Sequence, residues 1–243
     1  MEDSSETKET AKVDGDGVAS RSQALKDFHR IFPDGIEGIP ISVLENLVAV
    51  EGFRPDMYMD SLRTKKYPKG RGTYGFGSLA TPEELKQWPN AAPSGVSSEY
   101  GSMIPEERIR ERTSRDARRF YDKALGDLES IPKSPLAEGG GDLSDALFSV
   151  NYQLGEGWNK KHPTTWGHLA GGRWKEAAEE AQRSKWFGQT PNRVRNFQKA
   201  ILTHGGLGDE EIAEFISSQP KPGEPWSTKE MYFGGPVSRS RYI

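Results

Sequence analysis

Two carboxylates of the chain have the spacing and the surroundings that acid–base chemistry needs. Glu51 stands where the apolar stripe of a predicted helix should continue, and Asp60 follows nine residues later, just ahead of a glycine-rich segment. A carboxyl group packed against apolar side chains keeps its proton towards neutral pH, whereas one in a wetter loop stays ionised. An acid and a base within reach of each other are the minimum that hydrolysis of a glycosidic bond requires.

The same pair also has a structural interpretation. A carboxylate on the apolar face of a helix is more often an ion-paired residue than a catalyst, and the sequence offers guanidinium partners. These are Arg54, Arg71 and the arginine-rich run at 108–119. Because perturbed charges are only enriched at functional sites, spacing alone leaves both interpretations open.

Composition excludes several classes of protein and site. The 243 residues suffice for one large domain or two lobes. A net charge of −3 argues against a nucleic-acid partner, and the absence of cysteine excludes disulfides and thiolate metal sites. The four histidines lack the spacing of metal ligands. We therefore predict no metal site and no cofactor.

The sequence also bears on where the protein is made and used. No apolar run approaches the roughly 18 residues of a membrane span. The first residues lack the basic start and apolar stretch of a signal peptide. We expect no membrane insertion and synthesis in a cytoplasm, so a target elsewhere would be reached by another route.

Two short motifs are better explained without a ligand. Segment 70–75 satisfies G-x-G-x-x-G, but a dinucleotide site needs a strand before this motif and a helix after it. Here a strand-like pattern continues through Phe76 and Gly77, so a glycine-rich β-turn fits better. The Asp-Gly repeat at 14–17 lacks the remaining ligands of a calcium loop, and a solvated tail is predicted.

Hydrophobic periodicity predicts helices around a small β-region. Residues 41–51 form a helix with Ser42 as N-cap and Gly52 as its stop, and short strands follow within 53–80. Pro105 begins a helix of roughly 24 residues, long enough to join two lobes. Other predicted helices cover 23–33, 142–154, 190–201 and 210–218, the last two capped by Thr190 and Asp209.

These elements indicate an α+β fold in which a long helix joins a small, β-containing lobe to a larger, all-α lobe. Outside this fold, 1–35 is predicted as a disordered or weakly ordered arm and 219–243 as a tail. The folded domain, 36–218, comprises a small lobe at 36–104, a connecting helix at 105–130 and a helical lobe at 131–218.

Three blocks of sequence resemble one known family. Segment 51–60 matches E-G-x-R-x-x-x-Y-x-D, and segment 73–77 matches T-x-G-x-G. Segment 152–156 resembles F-Q-M-G-E, and the residues at 174–193 resemble R-W-x-E-A-A followed by S-R-W-Y-x-Q-T-P-N-R. These are motifs of the phage-type lysozymes, the family of the T-even phage lysozyme and related endolysins. The likeness spans about residues 41–202 in the family's order, and it implies a lysozyme-like fold.

The resemblance implies a muramidase, which hydrolyses the β-1,4 bond between N-acetylmuramic acid and N-acetylglucosamine in bacterial peptidoglycan. Glu51 matches the family's general acid. Asp60 matches the carboxylate that orients or activates water, and Thr73 matches the threonine that helps to hold that water. The inversion that the family implies would place the two carboxyl groups roughly 6.5–9.5 Å apart.

The resemblance also suggests substrate contacts. Positions near the family's sugar cleft fall at Leu79, Tyr152, Gln153, Thr165 and Glu180, although Glu180 differs from the family residue. Gln153 and Arg193 are expected to brace the floor of the cleft. Tyr152, Trp158 and Trp166 are candidates for stacking on sugar faces, whereas Trp174 and Trp186 are predicted to pack in the core.

The chain departs from the family in several places. The segment between Asp60 and Thr73 is longer, which predicts a hairpin extended by 64–70, and the loop at 86–101 is longer too. Ser78 replaces a histidine that, in the T-even enzyme, pairs with an aspartate at the position of Asp116. We therefore expect Asp116 to lack that partner, with a consequence for stability more than for chemistry.

Two other functions fit the same residues. The acidic balance and the two extensions suit a virion component whose lysozyme module is anchored to other virion proteins through 1–35 and 219–243. A catalytically silent peptidoglycan-binding protein is the third hypothesis, which the intact carboxyl pair disfavours. As an endolysin, the protein would be made in the host cytoplasm and would reach periplasmic peptidoglycan after holin release. As a virion part, it would act at entry.

Overall fold

The structure, a computed structural model, describes residues 21–60, 71–87, 104–133 and 141–219, with the backbone alone at 58–60, 71 and 141–142. The chain divides into two compact units, one ending at Asp122 and the other beginning at Lys123. This division falls within the long helix that the sequence predicts at 105–130. The predicted arm at 1–20, the hairpin extension at 64–70, most of the 86–101 loop and the tail from 220 lie outside the described residues.

Helices dominate the described residues, and a small antiparallel sheet accompanies them, which confirms the predicted α+β class. The strands are β1 (Arg54–Asp60), β2 (Arg71–Gly75) and β3 (Ser78–Leu79), in the order β1-β2-β3. The helices are α1 (Arg21–Ile31), α2 (Ile41–Glu51), α3 (Pro82–Gln87), α4 (Glu106–Glu129), α5 (Gly141–Leu154), α6 (Trp158–Lys161), α7 (Pro163–Ala170), α8 (Trp174–Arg183), α9 (Lys185–Gln189), α10 (Pro191–His204) and α11 (Asp209–Ser218).

An aromatic cluster forms the core of the first unit. Phe28 of α1 stacks on Phe32 at 5.3 Å between ring centroids and meets Phe53 edge-on at 5.6 Å. Phe76 completes the cluster, 5.3 Å from Phe53. The prediction of a weakly ordered arm at 1–35 is therefore wrong for its second half. Helix α1 buries its apolar face in this core, and that burial offsets the entropy of ordering it.

Helix α2 has the predicted bounds and the predicted buried stripe. Val43, Leu44, Leu47 and Val48 are buried, and the helix ends at the half-buried Glu51. The predicted capping box is wrong, because the N-cap residue is Pro40 and makes no side-chain cap bond. The Pro40 carbonyl already accepts the first helical amides, so the helix begins before Ser42 can cap it.

The sheet brings the glycine-rich segment beside β1. Tyr58 pairs with Thr73 and Asp60 with Arg71, after an irregularity in the register between Arg54 and Tyr58. On its other side, β2 pairs with β3 through Thr73 and Leu79. A tight turn and another strand, not a helix, follow β2, which agrees with the rejection of the dinucleotide motif.

Gly75 lies close to α4. Its φ of +61° lies in the left-handed region, and a Cβ built on it would lie 2.7 Å from Oγ1 of the buried Thr113. A side chain at this position would therefore be opposed both by the backbone conformation and by contact with α4.

Replacing Gly75 with alanine should lower the free energy of unfolding by at least about 1–2 kcal/mol, the cost of the left-handed conformation alone. Gly126→Ala is the matched control. Gly126 lies inside α4, and a Cβ added to it would meet no atom within 4 Å, so the same change there should stabilise the protein by up to about 1 kcal/mol. Chemical denaturation measures the change in the free energy of unfolding for each variant. A change of the same sign and size in both variants would contradict the explanation.

The second unit is built from helices. Ala178 of α8, Leu202 of α10 and Ile212 of α11 form one buried cluster, and Leu207, Phe215 and Ile216 pack against it. Thr190 occupies the predicted N-cap position of α10 but makes no side-chain cap bond. The prediction that Asp209 caps the last helix is wrong by one residue, because Gly208 is the N-cap and its N–H donates to Glu211.

The length and the composition of the helices bear on membrane crossing. Among the described residues, no helix combines the length and the apolar character needed to cross a bilayer. Helix α4 has the necessary length, but charged side chains occupy most of its surface.

Candidate active site

Glu51 is placed by the end of an apolar helix. It is the last residue of α2, it is half-buried, and its Oε1 atom is shielded from solvent. Gly52 then reverses the chain with a φ of +73°, and its N–H donates to the Val48 carbonyl at 2.8 Å. Strand β1 begins two residues further on. A carboxyl group is thus held between the helix end and the start of the sheet.

Thr73 lies in the central strand of the sheet. Its position on β2 is opposite Tyr58 on one side and Leu79 on the other, and its side chain is 3% exposed. The backbone of Thr73 is thereby held by two neighbouring strands. Leu79, the predicted sugar contact, is half-buried on β3 at the edge of the sheet.

Asp60 is the last residue of β1, and its backbone is paired with Arg71. Its side chain lies outside the described part of the structure. The register places its backbone two residues along the strand from the Tyr58–Thr73 pair. The predicted separation of the Glu51 and Asp60 carboxyl groups stays a prediction.

Asp116 has partners that the sequence did not predict. The Ser78 hydroxyl donates to its Oδ2 at 3.0 Å, and Nε of Arg112 donates to the same oxygen at 2.8 Å. The histidine partner is absent, as the sequence indicates, but Asp116 is still bonded by other side chains. Ser78, at the position of the family's histidine, makes a hydrogen bond to Asp116. Arg112, one helical turn from Asp116, supplies the positive charge.

A second buried carboxylate, Glu84, connects α3 to the sheet and to α4. It is 3% exposed and accepts bonds from the Tyr74 hydroxyl at 2.8 Å and the Thr81 amide at 2.8 Å. Nε and Nη2 of Arg108 donate to Oε1 at 3.1 and 3.0 Å. Burial acts to raise the pKa of Glu84, but these donors outweigh it and the pKa is lowered. Burial and Glu84 together raise the pKa of Tyr74.

Glu84→Gln should lower stability at neutral pH by roughly 1.5–3 kcal/mol, the usual worth of hydrogen bonds to a charged group. Because the folded-state pKa lies below the ordinary value of 4.5, this stability is complete above pH 4.5 and is lost as pH falls through the lowered value. The difference between wild type and Glu84→Gln should therefore shrink in acid.

Denaturation curves taken across the acid range measure that difference. The exposed neighbour Glu83, changed to glutamine, is the matched control and should show no such dependence. A constant difference between wild type and Glu84→Gln from neutral pH to the acid limb would contradict the proposed ionisation of Glu84.

In the second unit, Gln153 is a structural brace. Its Oε1 accepts the indole N–H of Trp186 at 2.8 Å, and its Nε2 donates to the Thr190 hydroxyl at 3.0 Å. Both ends of the amide are thus engaged with neighbouring residues. Gln153 therefore braces Trp186 and Thr190, and its predicted contact with the sugar stays a prediction.

The other predicted substrate contacts of this unit differ in their exposure. Tyr152 and Glu180 are half-buried, and each retains surface for a ligand. Thr165 is 3% exposed and offers a ligand little surface, and its role as a sugar contact stays a prediction. Burial and Lys161 lower the pKa of His162, and the carboxylate of Glu180 opposes them.

The tryptophans also differ from the prediction. Trp158 is fully buried and its indole N–H donates to Asp127 at 3.0 Å, so the prediction that it stacks on sugar is wrong. Trp166 is half-buried and meets Trp158 edge-on at 5.6 Å. Trp186 packs in the core, as predicted, whereas Trp174 is only half-buried and lies against the His204 ring.

Metal-binding clusters and surface hollows are the other kinds of candidate site. In the part of the chain that the structure describes, no cluster of three or more His, Asp or Glu side chains could hold a metal ion. A shallow hollow of about 560 Å³ lies on one face of α4, away from the predicted catalytic residues. It is lined by Glu111, Ser114, Arg115, Arg118, Arg119 and Asp122.

Comparison with models of known protein families finds no match for this chain, and comparison with curated proteins finds none either. The family resemblance therefore rests on the residue blocks at 51–60, 73–77, 152–156 and 174–193. Membership of the phage-type lysozymes stays a prediction, and the site must be judged by its own geometry.

Proposed function

We propose that this protein is a muramidase that hydrolyses the β-1,4 glycosidic bonds of peptidoglycan by inverting acid–base catalysis. Glu51 is the general acid that protonates the leaving oxygen. Asp60, with the Thr73 hydroxyl, directs a water molecule to the anomeric carbon from the opposite face of the sugar. The reaction needs water and no cofactor.

The surroundings of Glu51 carry this proposal. A general acid must hold its proton until the leaving oxygen takes it, and burial of a carboxyl oxygen favours the protonated form. The end of α2 acts in the same direction, because the carbonyl end of a helix is negative and the last turn of α2 has no basic residue. Burial of this oxygen and the helix dipole thus act in the same direction at Glu51.

The sheet supports the second half of the mechanism. Thr73 is fixed in the middle of the three strands, and Asp60 ends the strand that pairs with it. A residue whose backbone is held by strands on both sides needs little further ordering to orient water, which lowers the entropic cost of the attack. A carboxylate from the same pair of strands would polarise that water.

The first test is product analysis with purified peptidoglycan. The proposal predicts new reducing ends on muramic acid and clearing of bacterial cells whose outer membrane has been permeabilised. Proton NMR during the first turnovers should show the α-anomer, because a single displacement inverts the β-linkage. Release of peptide without new reducing ends would refute glycosidase activity, and an initial β-anomer would refute the inverting mechanism.

A further inference from the structure

The short strand β3 is held by side chains of α4. Ser78 bonds the Asp116 carboxylate, and Arg112 bonds the same carboxylate oxygen. Nη2 of Arg112 also reaches the Leu79 carbonyl in a long contact of 3.5 Å. Both residues of the strand are therefore tied to one helical turn of α4.

The position of this link gives it a functional consequence. Among the described strands, β3 has a neighbour on one side alone, where Leu79 pairs with Thr73 and the Ala80 amide donates to Gly72 at 2.8 Å. An edge strand of two residues has few ladder bonds to keep it in place. The Arg112 and Asp116 side chains are 16% and 12% exposed, so the pair is partly shielded from water and from salt.

We propose that Arg112 is a positioning residue, which acts through Asp116 and Ser78 to hold Leu79 where it contacts the sugar. This inference rests on the proposed function, because it takes Leu79 as a substrate contact. Arginine suits the task because its planar fork can bond two acceptors at once, whereas lysine presents a single ammonium group.

Arg112→Lys tests this role while keeping the charge beside Asp116. The Michaelis constant for a soluble peptidoglycan glycan of defined length should rise roughly three- to tenfold with little change in kcat, since a misplaced binding residue weakens ground-state and transition-state binding alike. Ser78→Ala should also raise the Michaelis constant with little change in kcat. Arg115→Lys is the matched control, because Arg115 is 55% exposed, approaches Asp116 only at 3.7 Å and has no bond to β3 among the described contacts.

Hydrogen exchange at the Ala80 amide provides a readout independent of catalysis. Arg112→Lys and Ser78→Ala should speed exchange there while the amides of α2 stay protected. Unchanged exchange would overturn the link to β3, whatever the activity. Faster exchange with an unchanged Michaelis constant would overturn the positioning role and leave the muramidase proposal intact. A wild-type protein that cleaves no glycan would refute the proposed function and, with it, the sugar contact at Leu79, even if Arg112 is shown to hold the strand.

Discussion

Glu51→Gln should reduce the rate of peptidoglycan hydrolysis roughly 10²- to 10⁴-fold, the range that positioned acid–base groups contribute. The amide has nearly the same size and hydrogen-bonding span as the carboxyl group, but it cannot donate a proton to the leaving oxygen. Stability should be unchanged or higher, because glutamine removes a partly buried ionisable group from the end of α2.

The matched control is Glu45→Gln on the same helix. The Glu45 carboxyl lies 3.0 Å from Nε2 of His29 and is 42% exposed, so its loss should leave the rate within about twofold. Initial rates of reducing-end release on one peptidoglycan preparation compare the three proteins, and thermal unfolding confirms that each is folded. If Glu51→Gln and Glu45→Gln retained equal activity, Glu51 would not be the general acid.

The variant Asp60→Asn separates the two catalytic roles. The general acid would remain, but no carboxylate would polarise the water, so hydrolysis should again fall by orders of magnitude. Added azide can replace the activated water as a small nucleophile, and it should restore cleavage in Asp60→Asn but not in Glu51→Gln. The same azide response in both variants would contradict the division of labour.

The placement of Glu51 can be predicted from sequence because local rules determine it. The apolar residues of α2 recur with the helical period, and Gly52 ends the helix immediately after the carboxylate. The turn between β2 and β3 follows from its glycines in the same way. In both cases the decisive residues are close together in the chain.

The buried polar residues could not be predicted, because their partners are distant in the chain or unmarked by any pattern. The sequence around Glu84 indicates a single helical turn at the surface, yet Arg108, 24 residues later, and the Tyr74 hydroxyl enclose its carboxylate. Asp116 is expected to lack the family's histidine, and the helical spacing of Arg112 is compatible with an ion pair, but the bond from Ser78, 38 residues earlier, could not be predicted. A periodic pattern predicts which face of a helix is buried. It does not predict which charged side chains are buried with that face or which partners they bond.

Helix α4 shows the same limit within a single element. Its periodicity predicts an apolar stripe, of which Ile109, Thr113, Ala117 and Ala124 are buried as predicted. The stripe also includes Phe120 and Leu128, which are half-buried, whereas the adjacent Tyr121 and Asp127 are buried. An aspartate four residues after Lys123 resembles an ordinary surface ion pair on a helix. Its burial is caused by Asn151 and Trp158, which approach from α5 and α6.

Asp127→Ala should therefore destabilise the protein strongly, by roughly 3–5 kcal/mol. The carboxylate is 3% exposed and accepts bonds from Asn151 at 2.9 Å and from Trp158 at 3.0 Å, while Lys123 pairs with its other oxygen. Truncation leaves the amide and the indole N–H, both in fully buried side chains, without this acceptor.

The size of the destabilisation in Asp127→Ala should depend on the two hydrogen-bond donors that lose this acceptor, and not on the lost charge alone. Asp127→Asn keeps one acceptor oxygen and should cost less than Asp127→Ala, and Asp122→Ala on the exposed face of α4 should stay within about 0.5 kcal/mol of wild type. Lys123→Met should cost less than Asp127→Ala, because the two neutral donors keep their acceptor, Oδ2 of Asp127. Urea denaturation followed by circular dichroism gives all four values. If Lys123→Met proved as damaging as Asp127→Ala, the ion pair, and not the pair of buried donors, would be what stabilises this part of the helical unit.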